Sequence, residues 1–266
     1  MSVMTYDSQD YFETTRGHTA TMSGNLLEVE GLTVSFDGFK ALNDLSVSIA
    51  QDELRVIIGP NGAGKTTFLD VLCGKTTPQS GKVTFSGIDL SRLTEYQIVR
   101  CGMARKFQTP STYEDLSVLE NFEISIPTGR DVFGSLFFKR SPAVKERIGY
   151  IAEQVFLQDN LHTKAASLSH GQKQWLEIGM LLIQNPTLLL LDEPVAGMSP
   201  RERENTAELL KRIAVGKSIV VIEHDMEFVK TIASTVTVMH QGSVLCTGSL
   251  ADVQRNQRVI EVYLGA

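Results

Sequence analysis

Two kinds of hydrophobic pattern run along this chain. The first is strict alternation. Leu27-Glu28-Val29-Glu30, Thr33-Val34-Ser35-Phe36 and Leu45-Ser46-Val47-Ser48-Ile49 each alternate with period two, and Lys82-Val83-Thr84-Phe85 repeats the pattern after Ser80-Gly81. Alternation predicts half-buried, antiparallel strands. The second kind is a continuous apolar run. Leu54-Arg55-Val56-Ile57-Ile58, Leu188-Leu189-Leu190-Leu191 and residues 218–222 are apolar nearly throughout. Such runs fit strands buried on both faces of a parallel sheet. Helical spacing occupies residues 66–72, 94–102, 143–158, 169–184 and 201–213. The helix over 169–184 opens on Ser169, presents Trp175, Ile178, Leu181 and Leu182 on one face, and stops at Asn185-Pro186. Val236-Thr237-Val238-Met239 and Ser243-Val244-Leu245-Cys246 flank His240-Gln241-Gly242 as a hairpin, followed by a short helical tail. Strands that alternate with helices predict an α/β fold with a mostly parallel sheet. An antiparallel β layer sits beside it, and a helical subdomain is expected from about residue 91 to 180. Residues 1–25 are polar and aperiodic and read as a mobile leader, which leaves 26–266 as the folded domain.

The most specific chemical signal is Gly59-Pro60-Asn61-Gly62-Ala63-Gly64-Lys65-Thr66-Thr67. It matches G-x-x-x-x-G-K-T between a predicted strand and a predicted helix, the context that a phosphate-binding loop requires. Its glycines let several backbone N–H groups converge, and the helix start adds unpaired donors and a positive dipole end. Lys65 supplies a charge for the β- and γ-phosphates and Thr66 a hydroxyl for Mg²⁺. Gly74-Lys75-Thr76 also spells G-K-T, but Leu69 stands where the first glycine is needed, so it reads as a helix C-terminal turn. Leu188 to Asp192 reads as a Walker B strand, with Asp192 placed to hold the metal and Glu193 to orient or deprotonate a water.

Composition narrows the picture in three ways. The net charge of −6 over 266 residues is a poor match to a nucleic-acid binder, so no nucleic-acid partner is expected. Cys73, Cys101 and Cys246 have no metal-ligand spacing and read as reduced, packed thiols. The longest uncharged stretch, residues 178–191, has 14 residues, whereas a membrane span needs about 20. The N-terminus shows no secretory signal pattern. An aromatic stretch over 132–138 (Phe133, Phe137, Phe138) has two readings, core or a partner-docking patch.

Leu168-Ser169-His170-Gly171-Gln172 resembles the LSGGQ signature of ATP-binding-cassette (ABC) ATPases, and the order of P-loop, Gln108, signature, Asp192-Glu193 and then His224 is that family's order. The resemblance covers roughly residues 26 to 266. It implies a P-loop NTPase of ABC type that uses ATP and Mg²⁺ and works as a head-to-tail dimer of nucleotide-binding domains. By the same resemblance Phe36 stacks on adenine, Gln108 reaches the metal and the water, and His224 hydrogen-bonds the γ-phosphate. Ser169, His170, Gly171 and Gln172 would meet the ATP of the partner; Ser169 and the N–H groups of Gly171 and Gln172 open a helix, which is a ready anion site. Two departures stand out. His170 replaces the first signature glycine, and Ala196-Gly197-Met198-Ser199 replaces the usual serine-alanine-leucine-aspartate. Within the family, residues 104–111, 168–182, 192–198 and 262–265 look most like the ATPase subunits of bacterial urea and short-chain amide importers, in the branched-chain amino-acid importer group. That implies two permease subunits, a second ATP-binding subunit in a hetero- or homodimer, an extracytoplasmic substrate-binding protein, and a peripheral place on the cytoplasmic face of the inner membrane. The alternative is a branched-chain amino-acid importer ATPase, and after it a non-transport ABC ATPase.

Overall fold

The structure is a computed structural model that describes residues 24–106, 111–127 and 141–264. The leader, Gln108 and the aromatic stretch over 132–138 therefore lie outside the described residues, except for Gly24 and Asn25 at the end of the leader.

Two sheets form the body. The antiparallel sheet has the order β2-β1-β4-β5, from β1 (Asn25–Phe36), β2 (Phe39–Ala50), β4 (Ser80–Phe85) and β5 (Ile88–Asp89). The larger sheet has the order β10-β9-β3-β8-β7-β6. Its strands are β3 (Leu54–Ile58), β6 (Met103–Lys106), β7 (Leu188–Asp192), β8 (Ser218–Ile222), β9 (Thr235–His240) and β10 (Ser243–Gly248). All neighbours in it are parallel except the β9–β10 hairpin. The helices are α1 (Lys65–Leu72), α2 (Glu95–Arg100), α3 (Val118–Ser125), α4 (Pro142–Gln154), α5 (His170–Leu182), α6 (Pro200–Ile213), α7 (Met226–Ile232), α8 (Leu250–Arg255) and α9 (Gln257–Leu264).

Strand β3, β7 and β8 residues are buried without exception, as continuous apolar runs require. Their side chains alternate between two cores. Val56, Ile58, Leu189, Leu191 and Val221 pack with the helical layer, against Trp175 and Ile178 of α5 and Leu210 of α6. Ile57, Leu190, Val220 and Ile222 pack with α1 and the antiparallel sheet, against Phe68, Leu42 and Phe85. The period of two along each strand thus glues one sheet between two layers. The one charge inside β3, Arg55, is satisfied by Glu53, Thr237 and the Ser48 carbonyl.

Helix boundaries follow capping chemistry. Ser169 and Ser199 each accept from the backbone N–H three residues on, in reciprocal capping boxes with Gln172 and Glu202. Gly74 takes φ 77° just beyond α1, and Lys75 N–H returns to the Asp70 carbonyl, so this G-K-T is the expected helix-end turn. All three cysteines are free thiols. No helix among the described residues is long and apolar enough to cross a membrane.

Two elements differ from expectation. The two alternating runs in 27–36 form one strand, because a shift of register between Val29 and Leu32 absorbs Gly31 without ending the pairing. Met103–Lys106, expected within the helical subdomain, is instead an edge strand of the main sheet. It is buried despite carrying Arg105 and Lys106.

Candidate functional site

The P-loop links the end of β3 to the start of α1. Gly64 has φ 95°, and a Cβ there would fall 2.3 Å from the Ala41 carbonyl, so only glycine allows this approach to β2. The loop floors a cleft of about 360 Å³. Asp192 and Glu193 form one wall and Phe36 and Phe39 another. The two phenylalanines face each other across the tightest possible connection. Phe36 pairs with Phe39, and the Asp37-Gly38 turn between them uses φ 48° and 88°, a two-residue hairpin loop favoured for that dipeptide. Both rings are exposed. Phe36 was legible as a candidate; Phe39 was not singled out, although the Asp-Gly turn places it beside Phe36.

Lys65 Nζ donates to the carbonyls of Gly59 (2.7 Å) and Pro60 (3.0 Å). Burial pulls its pKa down, partly opposed by the carboxylates of Glu193 and Asp192. Thr66 hydroxyl donates to Asp192 Oδ2 at 3.4 Å. Asp192 is almost wholly buried, and burial raises its pKa, with Arg105 pulling it back. Its Oδ1 has no hydrogen-bond partner among the described residues. A buried carboxylate oxygen left in this state, beside a threonine hydroxyl and a phosphate cradle, fits a hard dication. Among the described residues no three acidic, histidine or cysteine groups converge. Mg²⁺ does not need them, since it takes one or two protein ligands and completes its shell with phosphate oxygens and water.

Glu193 follows with φ 47°, its N–H donating to the Ile222 carbonyl at 3.0 Å. This left-handed turn swings its carboxylate out of the strand line and into the cleft. His224, just beyond β8, meets it, with Nδ1 3.2 Å from Glu193 Oε1. Behind them lies Glu223, just beyond the end of β8. Its buried carboxylate accepts from the N–H groups of Val195, His224 and Asp225. One carboxylate therefore fixes the backbone that carries His224 and the turn after Glu193.

The buried charges of β6 tie the site to its surroundings. Arg105 reaches Asp70 of α1 at 2.6 Å and Asp192 at 3.8 Å. Lys106, on the other face, reaches Glu177 of α5 at 3.5 Å. Glu177 also accepts from Ser111 N–H at 3.3 Å. Both described flanks of the segment carrying Gln108 are thus anchored on one residue of α5. Removing one partner from such a network leaves a buried charge uncompensated. Arg105→Met should lower unfolding stability by about 3–5 kcal/mol, read from denaturant unfolding; a change within experimental error would mean that Asp192 and Asp70 need no counter-charge.

Ser169, His170, Gly171 and Gln172 do not line the cleft. Of the expected site, the structure joins Phe36, Asn61 to Thr67, Asp192 and Glu193 along the cleft, brings His224 to Glu193, and leaves the signature stretch apart at the N-terminus of α5. Gln108 lies outside the described residues.

A phosphate loop on a parallel sheet, with an acid pair at the end of a neighbouring strand, defines a P-loop nucleotide hydrolase. Comparison with known proteins refines that class. The ABC transporter family model matches residues 42–196, and a model described as branched-chain amino acid ATP-binding cassette transporter matches residues 243–266. The chain belongs to the ABC transporter ATP-binding family, whose members are ATPases that use ATP with Mg²⁺. Among its relatives, a high-affinity branched-chain amino acid transport ATP-binding protein LivG of Salmonella typhimurium is 34% identical over 255 residues, covering 92% of this chain and 99% of the relative. A probable LivG of Archaeoglobus fulgidus is 33% identical over 246 residues, covering 91% and 96%. Among solved structures, a nucleotide-free ATP-binding cassette from an ABC transporter superposes with a TM-score of 0.80 at 30% identity, covering 91% of this chain and all of that one. A cassette in its ADP conformation gives 0.79 at 31%, covering 92% and 100%.

Proposed function

We propose that this chain is the ATP-hydrolysing subunit of an importer for branched-chain amino acids. The observation that carries this reading is the match of residues 243–266 to the branched-chain cassette model, joined to full-length similarity with relatives named for that transport. Motif resemblance alone places urea or short-chain amides first, and the names of these relatives favour the alternative, branched-chain amino acids. In this proposal the chain sits on the cytoplasmic face of the inner membrane. It works with two permease subunits, a second ATP-binding subunit and an extracytoplasmic binding protein. Residues 26–266 form the cassette, with the helical subdomain that follows β6, up to about residue 180, turned to the permeases.

The geometry of the cleft supports the roles proposed here, and the family resemblance alone supplies that of Gln108. Phe36 and Phe39 offer exposed ring faces for the adenine. The backbone donors of residues 59–67 and Lys65 receive the phosphates. Thr66 and Asp192 would hold Mg²⁺, with Gln108 as a further ligand, and the metal would offset charge on the phosphate oxygens. Glu193 takes a proton from the attacking water as its oxygen bonds to the γ-phosphorus, while the bond to the bridging oxygen breaks and ADP leaves with the electron pair. His224 steadies Glu193 and reaches for the γ-phosphate, and Glu223 holds His224 in place. Replacing both Phe36 and Phe39 by alanine should weaken ATP binding about tenfold or more, as loss of stacking predicts. Equilibrium titration with ATP checks this, and unchanged affinity would remove the rings from the site.

Transport specificity is tested on the complex purified with its membrane partners. ATP hydrolysis should rise when the binding protein carries leucine, isoleucine or valine and stay basal with urea or acetamide. Stimulation by urea or acetamide alone would restore the amide reading. Stimulation by nucleic acid without membrane partners would favour the non-transport one.

A further inference from the structure

Two serines thirty positions apart, each capping a helix, share one carboxylate. Glu202 Oε2 accepts from the N–H and hydroxyl of Ser199, at 2.9 and 2.8 Å. Its Oε1 accepts from the Ser169 hydroxyl at 3.1 Å. The carboxylate lies flat on the first turn of α5, since a Cβ on Gly171 would fall 2.3 Å from Oε1. Next to it, His170 Nε2 stands 3.0 Å from the Ala196 carbonyl and packs on Gly197, where a Cβ would meet the ring at 3.1 Å. The two departures from the family pattern, His170 and Ser199, thus meet in one place. They interlock the N-terminus of α5 with the turn that follows Glu193. Glu202 is ionised at neutral pH: the Ser199 N–H and hydroxyl hold its carboxyl below the usual range, and Ser169 adds to this.

A serine hydroxyl has one proton to donate. Here it goes to Glu202. In the head-to-tail dimer that the family resemblance implies, Ser169 would meet the ATP bound by the second ATP-binding subunit, and the γ-phosphate there would call on the same proton. Both acceptors are anions, and one hydroxyl cannot serve both. We infer that Glu202 is a positioning residue that competes with the γ-phosphate across the interface for the Ser169 hydroxyl. Arrival of ATP displaces it; loss of the γ-phosphate lets it return and favours separation. The His170–Ala196 contact keeps the competitor within reach by holding the two helix starts together. This inference rests on the proposed function, and its test is arranged so that the two fail separately.

Glu202→Gln is the discriminating variant. Glutamine in the third helical position still completes a capping box, so α6 keeps its start. Its amide can donate to Ser169 instead of accepting, which frees the hydroxyl proton. In a Glu193→Gln background, where the ATP state accumulates, the ATP concentration for half-maximal assembly with the second subunit (or with itself) should fall about tenfold, the scale of one hydrogen bond to a charged group. In the purified complex, KM for ATP should fall likewise with the melting temperature unchanged. Glu202→Asp, too short to reach Ser169, should shift assembly in the same direction. The shift should vanish when Ser169→Ala is present. An ATP dependence unaltered by either Glu202 variant, or a shift that persists with Ser169→Ala, overturns the inference. Failure of the unassembled chain to bind ATP would overturn the proposed function instead.

Discussion

Glu193→Gln is expected to slow ATP turnover about 100-fold or more while leaving nucleotide binding intact. The size is that of losing a general base. The geometry says why binding should survive. Glu193 stands beside the phosphate loop without donating to it, and glutamine keeps its shape. Glutamine also retains an oxygen for the His224 contact, 3.2 Å away in the parent chain. The backbone turn at φ 47° tolerates either residue equally. Phosphate release under single-turnover conditions, paired with equilibrium nucleotide binding, separates the two effects. Turnover close to wild type would mean that another group handles the water's proton.

Lys65→Ala should act earlier, on binding itself, with affinity for ATP falling by about 100-fold or more, as expected for a charge-assisted contact to phosphate. The ammonium bridges the carbonyls of Gly59 and Pro60, so it also closes the loop on itself. Lys65 itself is only partly buried and lines the cleft, so water can take the place of its ammonium. The melting temperature should therefore change little. A large loss of stability with ordinary affinity would recast Lys65 as a structural clasp.

The parts of this fold legible in the sequence were those written in neighbouring residues. The phosphate loop is a spacing between a strand and a helix, and Ser169 with Gln172 announces a helix start. Strand β6 was not legible, because Arg105 and Lys106 contradict a buried strand unless their partners are known. Those partners, Asp70, Asp192 and Glu177, sit far along the chain. Phe39 was missed for a similar reason: a lone exposed aromatic acquires meaning only when the turn beside it sets it against Phe36. Glu223 announced nothing by type or spacing, since its role lies in three backbone donors gathered by folding. The solute was unreadable because, under the proposed function, it is bound and passed by other subunits.

Strand β6 also has a mechanical consequence. Two consecutive residues carry its charges, so they face opposite sides: Arg105 keys into α1 and Asp192, Lys106 into α5. A slip of one residue would exchange the faces and strand both cations without their acids. The strand is in effect a splined shaft between the nucleotide floor and α5. Rotation of α5 against the nucleotide floor at this joint would have to break these buried ion pairs.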